Sequence, residues 1–142
     1  MSDRDQLVRS LQEALQARPE VREAYLFGSQ ARGKTRAESD VDVAVYVDPA
    51  ALENYVGWFG YDAEIGTELI GALRRNDVDL VVLNKAPPLL YYHVLRDGIR
   101  LLTRDAKETT TREAQALSRY FDYIPQLNKI DEAHRRRLRS AK

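Results

Sequence analysis

Apolar residues recur along this 142-residue chain in two rhythms, one helical and one of period two. Leu7, Leu11 and Leu15 fall at helical spacing behind Ser2 and Asp5, which have the spacing of a capping box. That pattern predicts a first helix from about Asp3 to Ala17. The run "VREAYLF" reads as a strand entering Gly28. In "DVDVAVYV", Val41, Val43, Val45 and Val47 share one face, and Asp40, Asp42, Ala44 and Tyr46 the other. Asp48 then serves as an N-cap, with Pro49 at the first helical position.

The segment from Ala50 to Asn76 is predicted helical, with a stripe of Ile65, Leu69 and Leu73 and interruptions at Gly57, Gly60, Gly66 and Gly71. Val78 to Leu83 is a third strand. Pro87 and Pro88 open a short helix that Gly98 closes, and "IRLLT" is a fourth strand. Beyond Asp105 the chain turns helical again, with Thr110 and Glu113 as a capping box and Ala114, Leu117, Phe121 and Ile124 at heptad-like spacing. Pro125 is expected to end that helix, and a last one carries Leu127, Ile130 and Leu138. The elements add up to an α/β (α+β) fold. A small mixed sheet of about four strands has flanking helices, and a helical arm ends the chain.

Composition narrows the class. Hydrophobic residues at 44% and charged residues at 31% suit one globular domain with a single core. Lys plus Arg and Asp plus Glu both number 22, so no overall field draws the chain to nucleic acid or an anionic membrane. The absence of cysteine excludes disulfides and thiolate metal sites, and suits a reducing cytosol. The polar start "MSDRDQLVRS" does not read as a signal peptide, and no apolar run approaches the ~18 residues of a membrane span. A cytoplasmic protein is expected.

The chemistry concentrates in "FGSQARGKTRAESDVDVAV". Gly28 and Ser29 follow a strand, and ten residues separate Ser29 from Asp40-x-Asp42. A glycine-serine turn offers backbone N–H groups and a hydroxyl to an anion, and glycine lets the backbone come close. Two carboxylates at i and i+2 of a strand point the same way and can grip divalent cations. An all-oxygen ligand set suits Mg²⁺, which takes its other ligands from water and substrate phosphates. Phosphate donors beside a metal are equipment for phosphoryl or nucleotidyl transfer. Asp79, of opposite parity to Val78, Leu80 and Val82, offers a third carboxylate. It is a candidate for a second metal and for taking the proton of an attacking hydroxyl.

This constellation, with "DVDLVVL" downstream, resembles the nucleotidyltransferases of the DNA polymerase beta superfamily, and within it the minimal nucleotidyltransferase (MNT) group. The resemblance covers the N-terminal two-thirds of the chain. It implies a palm-like nucleotidyltransferase domain over residues 1–104, with 105–142 as a helical extension packed on it or on a partner. Gly28 and Ser29 would hold the nucleotide phosphates, with Arg32 as a basic neighbour. Asp40, Asp42 and Asp79 would ligate Mg²⁺, with ATP as substrate and Asp79 as general base. About forty residues follow the last strand, too few for the acceptor domain of larger relatives, so the acceptor is expected on a partner. In the MNT group that partner is a HEPN-domain RNase toxin. The resemblance implies a hetero-oligomer in which the antitoxin transfers AMP to a toxin tyrosine. Two alternatives are an antitoxin that only masks the toxin and a transferase acting on a small-molecule hydroxyl. The chain is not itself the HEPN half, because neither His93 nor His134 has an arginine five to seven residues upstream.

Other signals have plainer readings. His93 sits among apolar and aromatic neighbours as a packed or rim histidine. The run "HRRRLRSAK" complements a helix C-terminus, so no nucleic-acid partner is expected. Tyr120, Phe121 and Tyr123 either pack a helix on the core or form an exposed groove for a partner. Lys34 and Arg36 either steer ATP or are simply solvated.

Overall fold

A computed structural model describes residues 2–28, 31, 40–55 and 60–140. Among them are five α-helices and one four-stranded sheet. The order is α1 (Asp3–Gln16), β1 (Val21–Phe27), β2 (Val41–Val47), α2 (Pro49–Glu53), α3 (Tyr61–Leu73), β3 (Val78–Val82), α4 (Pro88–Asp97), β4 (Ile99–Thr103) and α5 (Ala106–Ser140). A 3₁₀ turn, Leu83–Lys85, links β3 to the loop before α4.

Local chemistry sets the ends of several elements. At α1 the Ser2 hydroxyl accepts from the Asp5 N–H at 3.2 Å, and the Asp5 carboxylate accepts from the Ser2 N–H at 3.3 Å. Such a cap contributes about 1 kcal/mol. The Asp48 side chain likewise accepts from the Ala50 N–H, with Pro49 opening α2.

The strands lie in the order β3-β2-β1-β4, with β2 parallel to β3 and β1 antiparallel to β2 and β4. The valines of β2 are fully buried against Leu11 and Leu15 of α1 and Ile65 and Leu69 of α3. Each such side chain contributes about 1.5–3 kcal/mol. A shift of register between Val21 and Glu23 rotates Val21 into this core and leaves Glu23 on the opposite face. There Tyr25 and Ala44 pack with Tyr91 and Val94 of α4 and Ala116 of α5. The sheet is thus covered on both faces.

The C-terminal region departs from expectation in three ways. The first turn of α5 is capped by Asp105, whose carboxylate accepts from the Glu108 N–H at 3.0 Å, and Thr110 lies inside the helix. Pro125 does not end the helix, which runs on to Ser140. Proline removes one N–H and crowds one carbonyl, and Pro125 is exposed, so water can take the orphaned carbonyl. The buried stripe also differs: Ala114 and Phe121 face solvent, whereas Thr109 and Ala116 are buried and Tyr120 stacks on Tyr92 at 3.9 Å. A hydrophobic count misses that face because it meets a buried carboxylate, Glu23, and is partly polar. The Leu73 end of its stripe is only half-buried, and Leu83 falls in the turn rather than in β3. His93 is half-buried with its ring tilted against Tyr92, as a rim residue. Among the described residues no helix is long and apolar enough to cross a membrane.

Candidate active site

The carboxylates gather where β1 ends and β2 and β3 begin. Phe27, the last residue of β1, lies opposite Asp42, and Asp42 lies opposite Asp79 in the parallel β2–β3 pair. In-register parallel partners present their side chains to the same face, with strands ~4.8 Å apart. Asp40 stands two residues before Asp42, exposed at the mouth of the strand. Asp79 is exposed and Asp42 half-buried. The Val41 N–H bonds the Asp77 carbonyl at 2.8 Å, which extends the β2–β3 register to the edge where Asp40 sits.

Gly28 closes on this group from β1. Its φ of +73° lies in the left-handed region that side chains disfavour. A Cβ built there would collide with Oδ2 of Asp42. Both the turn and the proximity of the carboxylate therefore require glycine. The carbonyl of Ala31 accepts from Arg4 of α1 at 2.6 Å. Ser29 and Arg32 lie outside the described residues, as do Lys34 and Arg36.

The electrostatics fit a cation-binding mouth. Burial raises the Asp42 carboxyl above the ordinary carboxylate range, and the negative charges of Asp79 and Asp40 add to the rise. Neither Asp42 nor Asp79 has a hydrogen-bond or ion-pair partner among the described residues. Arg75, clamped by Asp77 at 2.6 Å before β3, lies within electrostatic range of Asp40. Among the described residues no three carboxylate or imidazole side chains are drawn together as a metal cluster. The carboxylate pair set opposite by strand register is what this site offers, with Asp40 beside it. Oxygen donors of this kind suit Mg²⁺.

Sequence reasoning missed a second polar constellation on the same face. Glu23, with no exposed surface, accepts from Arg112 at 2.5 and 3.0 Å and from the Thr109 hydroxyl at 3.1 Å. Arg112 also reaches Glu108 at 2.6 Å, and Arg22 grips Glu108 at 2.7 and 3.0 Å. The Arg112 guanidinium stacks 3.8 Å above the ring of Tyr46. The visible signals were a charged residue inside an apolar strand and the i,i+4 pair Glu108 and Arg112, but nothing local joins them.

Comparison with known proteins adds the following. The family model described as "Polymerase beta, Nucleotidyltransferase" matches residues 9–107. The protein adenylyltransferase MntA of Shewanella oneidensis is 36% identical over 83 residues, 58% of this chain and 55% of that protein. The chain thus spans about half the length of that curated relative. A crystal structure of a toxin-antitoxin with AMP-PNP is 25% identical, covering 89% of this chain and 98% of that one, with a TM-score of 0.71. The tri-AMPylated Shewanella oneidensis HEPN toxin in complex with MNT antitoxin matches over 92% of this chain and 98% of that one, with a TM-score of 0.67. At 22% identity that last likeness bears on the fold alone.

Proposed function

The chain belongs to the polymerase beta nucleotidyltransferase family, and from that premise we propose that it is a protein adenylyltransferase acting as the antitoxin of a HEPN toxin. It transfers AMP from ATP to a tyrosine hydroxyl of that partner in the cytoplasm. The observation that carries the reading is the meeting of the Gly28 backbone, Asp42 and Asp79 at one end of the sheet. A relative named as a protein adenylyltransferase and a structural neighbour crystallised with AMP-PNP support the same chemistry.

Gly28, with Ser29 and Arg32 beyond it, receives the phosphates of ATP, since a side chain at Gly28 would fill the space beside Asp42. Asp40, Asp42 and Asp79 would hold Mg²⁺, which when bound neutralises the triphosphate and polarises the α-phosphate. The acceptor oxygen bonds to the α-phosphorus while the bond to the β-phosphate bridging oxygen breaks, and pyrophosphate leaves. Asp79, the most open of the register pair, takes the hydroxyl proton. The split into a catalytic unit at 1–104 and an arm at 105–142 belongs to the same proposal. Phe121, Ile130 and Leu138 of α5 are 58–63% exposed, which supports an arm that meets the partner.

The test is to incubate the chain with labelled ATP, Mg²⁺ and its HEPN partner, then repeat with Asp42→Asn. Label should appear on the partner and vanish with the variant. Neutralisation that survives Asp42→Asn without any label would overturn transfer in favour of masking. Label on a small-molecule hydroxyl but never on the partner would move the acceptor.

A further inference from the structure

The sheet face that carries Asp42 and Asp79 continues away from them along β2. Four residues beyond Asp42, or ~13 Å at the rise of a strand, Tyr46 enters the wall of a cavity of about 530 Å³. The cavity lies between the end of β2, α4 and α5, and its wall also includes Tyr91, Arg112, Gln115, Ser118 and Arg119. Among the described residues no acidic side chain lines it.

Three features mark it as built for a ligand. First, its two arginines differ. Arg112 is already answered by Glu23 and Glu108, which hold its guanidinium rigidly over the Tyr46 ring. Arg119 has no ion pair or hydrogen bond with another described residue, so the wall carries one uncompensated positive charge. Secondly, the Tyr91 hydroxyl is buried without a hydrogen-bond partner among the described residues, on a residue only 3% exposed. An unmet buried hydroxyl destabilises the fold, and an acceptor supplied by a ligand removes that cost. Burial pushes its ionisation well above the usual tyrosine range, so it stays a donor. Thirdly, the volume lies within the ~300–1,000 Å³ of small-molecule sites and exceeds what inorganic phosphate fills.

We propose that this cavity binds a nucleoside monophosphate. Arg119 pairs with the phosphate. The base lies against the rigid Arg112–Tyr46 stack, since guanidinium and aromatic planes both accept a flat ring. The Gln115 amide and Ser118 hydroxyl meet polar edges of the base or ribose, and Tyr91 donates from below. The site is separate from the carboxylates and does not depend on the transfer reading.

Isothermal titration with AMP in EDTA tests it directly, without toxin or ATP, so its failure is distinct from failure of adenylyl transfer. Wild-type protein and the Asp42→Asn/Asp79→Asn variant should bind AMP alike. Arg119→Ala, at an exposed position, should weaken binding at least tenfold with an unchanged melting temperature. Tyr91→Phe, which removes only the hydroxyl, should weaken it several-fold. Adenosine and inorganic phosphate, titrated separately, should each bind more weakly than AMP. Absence of AMP binding, its loss in the carboxylate variant, or indifference to Arg119→Ala would overturn the site. So would an equal rise in KM for ATP in Arg119→Ala, because the cavity would then be an end of the donor site.

Discussion

Replacing Gly28 with alanine probes the joint between the turn and the carboxylates, and its two effects can be sized separately. The backbone there has φ +73°, where a non-glycine residue costs about 1–2 kcal/mol. In a domain of this length that corresponds to a fall in melting temperature of roughly 3–8 °C. The new methyl also collides with Oδ2 of Asp42, so the carboxylate or the turn must give way by roughly 1 Å to reach ordinary contact. A misplacement of that size in a reacting group costs on the order of 10²-fold in rate. The assay pairs calorimetric melting with single-turnover transfer of labelled AMP. Gly71→Ala is the control: it sits exposed in α3 with nothing within 4 Å of its would-be Cβ. It should raise stability by about 0.5–1 kcal/mol and leave transfer unchanged. A Gly28→Ala protein that melts lower yet transfers AMP at the wild-type rate would refute the argument, because Gly28 would then serve the turn alone.

Other outcomes follow from the packing of α5. Arg112→Leu strands the fully buried Glu23 carboxylate and should cost about 3–5 kcal/mol in urea unfolding. The double variant Glu23→Leu/Arg112→Leu should lose far less than the sum of the single changes, and simple additivity would contradict a coupled pair. Glu108 is held down to about 2, from an ordinary 4.5, by Arg22 and then Arg112. Its contribution is therefore complete above about pH 4.5 and fades as pH falls toward 2. Glu108→Gln should flatten that acid limb of a melting-temperature profile, and an unchanged limb would exclude the network as its source. Pro125→Ala restores an N–H to the middle of α5 and should slow amide exchange in the helix beyond it, with little change in the global melt.

Much of this protein was legible in its residues because local rules have short reach. The Ser2–Asp5 box, the Asp48–Pro49 start and the period-two valines of β2 each depend on neighbours a few positions away, and each stands where the pattern puts it. The parity of Asp79 and the Gly28-Ser29 to Asp40-x-Asp42 spacing were equally open to reading. The opposition of Asp42 to Asp79 was not, since a parallel register is set by the whole crossover through α2 and α3. Nor was the run of α5 past Pro125, because proline's cost is decided by where its freed carbonyl points and what the helix already packs against. The bond between Glu23 and Arg112 spans 89 positions. A carboxylate inside a strand is costly until a cation closes over it, and only the folded chain brings that cation. The same closure turned a polar helix face toward the sheet and left the cavity beside Tyr46. Local sequence decided which segments are strands and helices. Tertiary packing decided which charges meet, because Coulomb and desolvation energies depend on distance through space rather than along the chain.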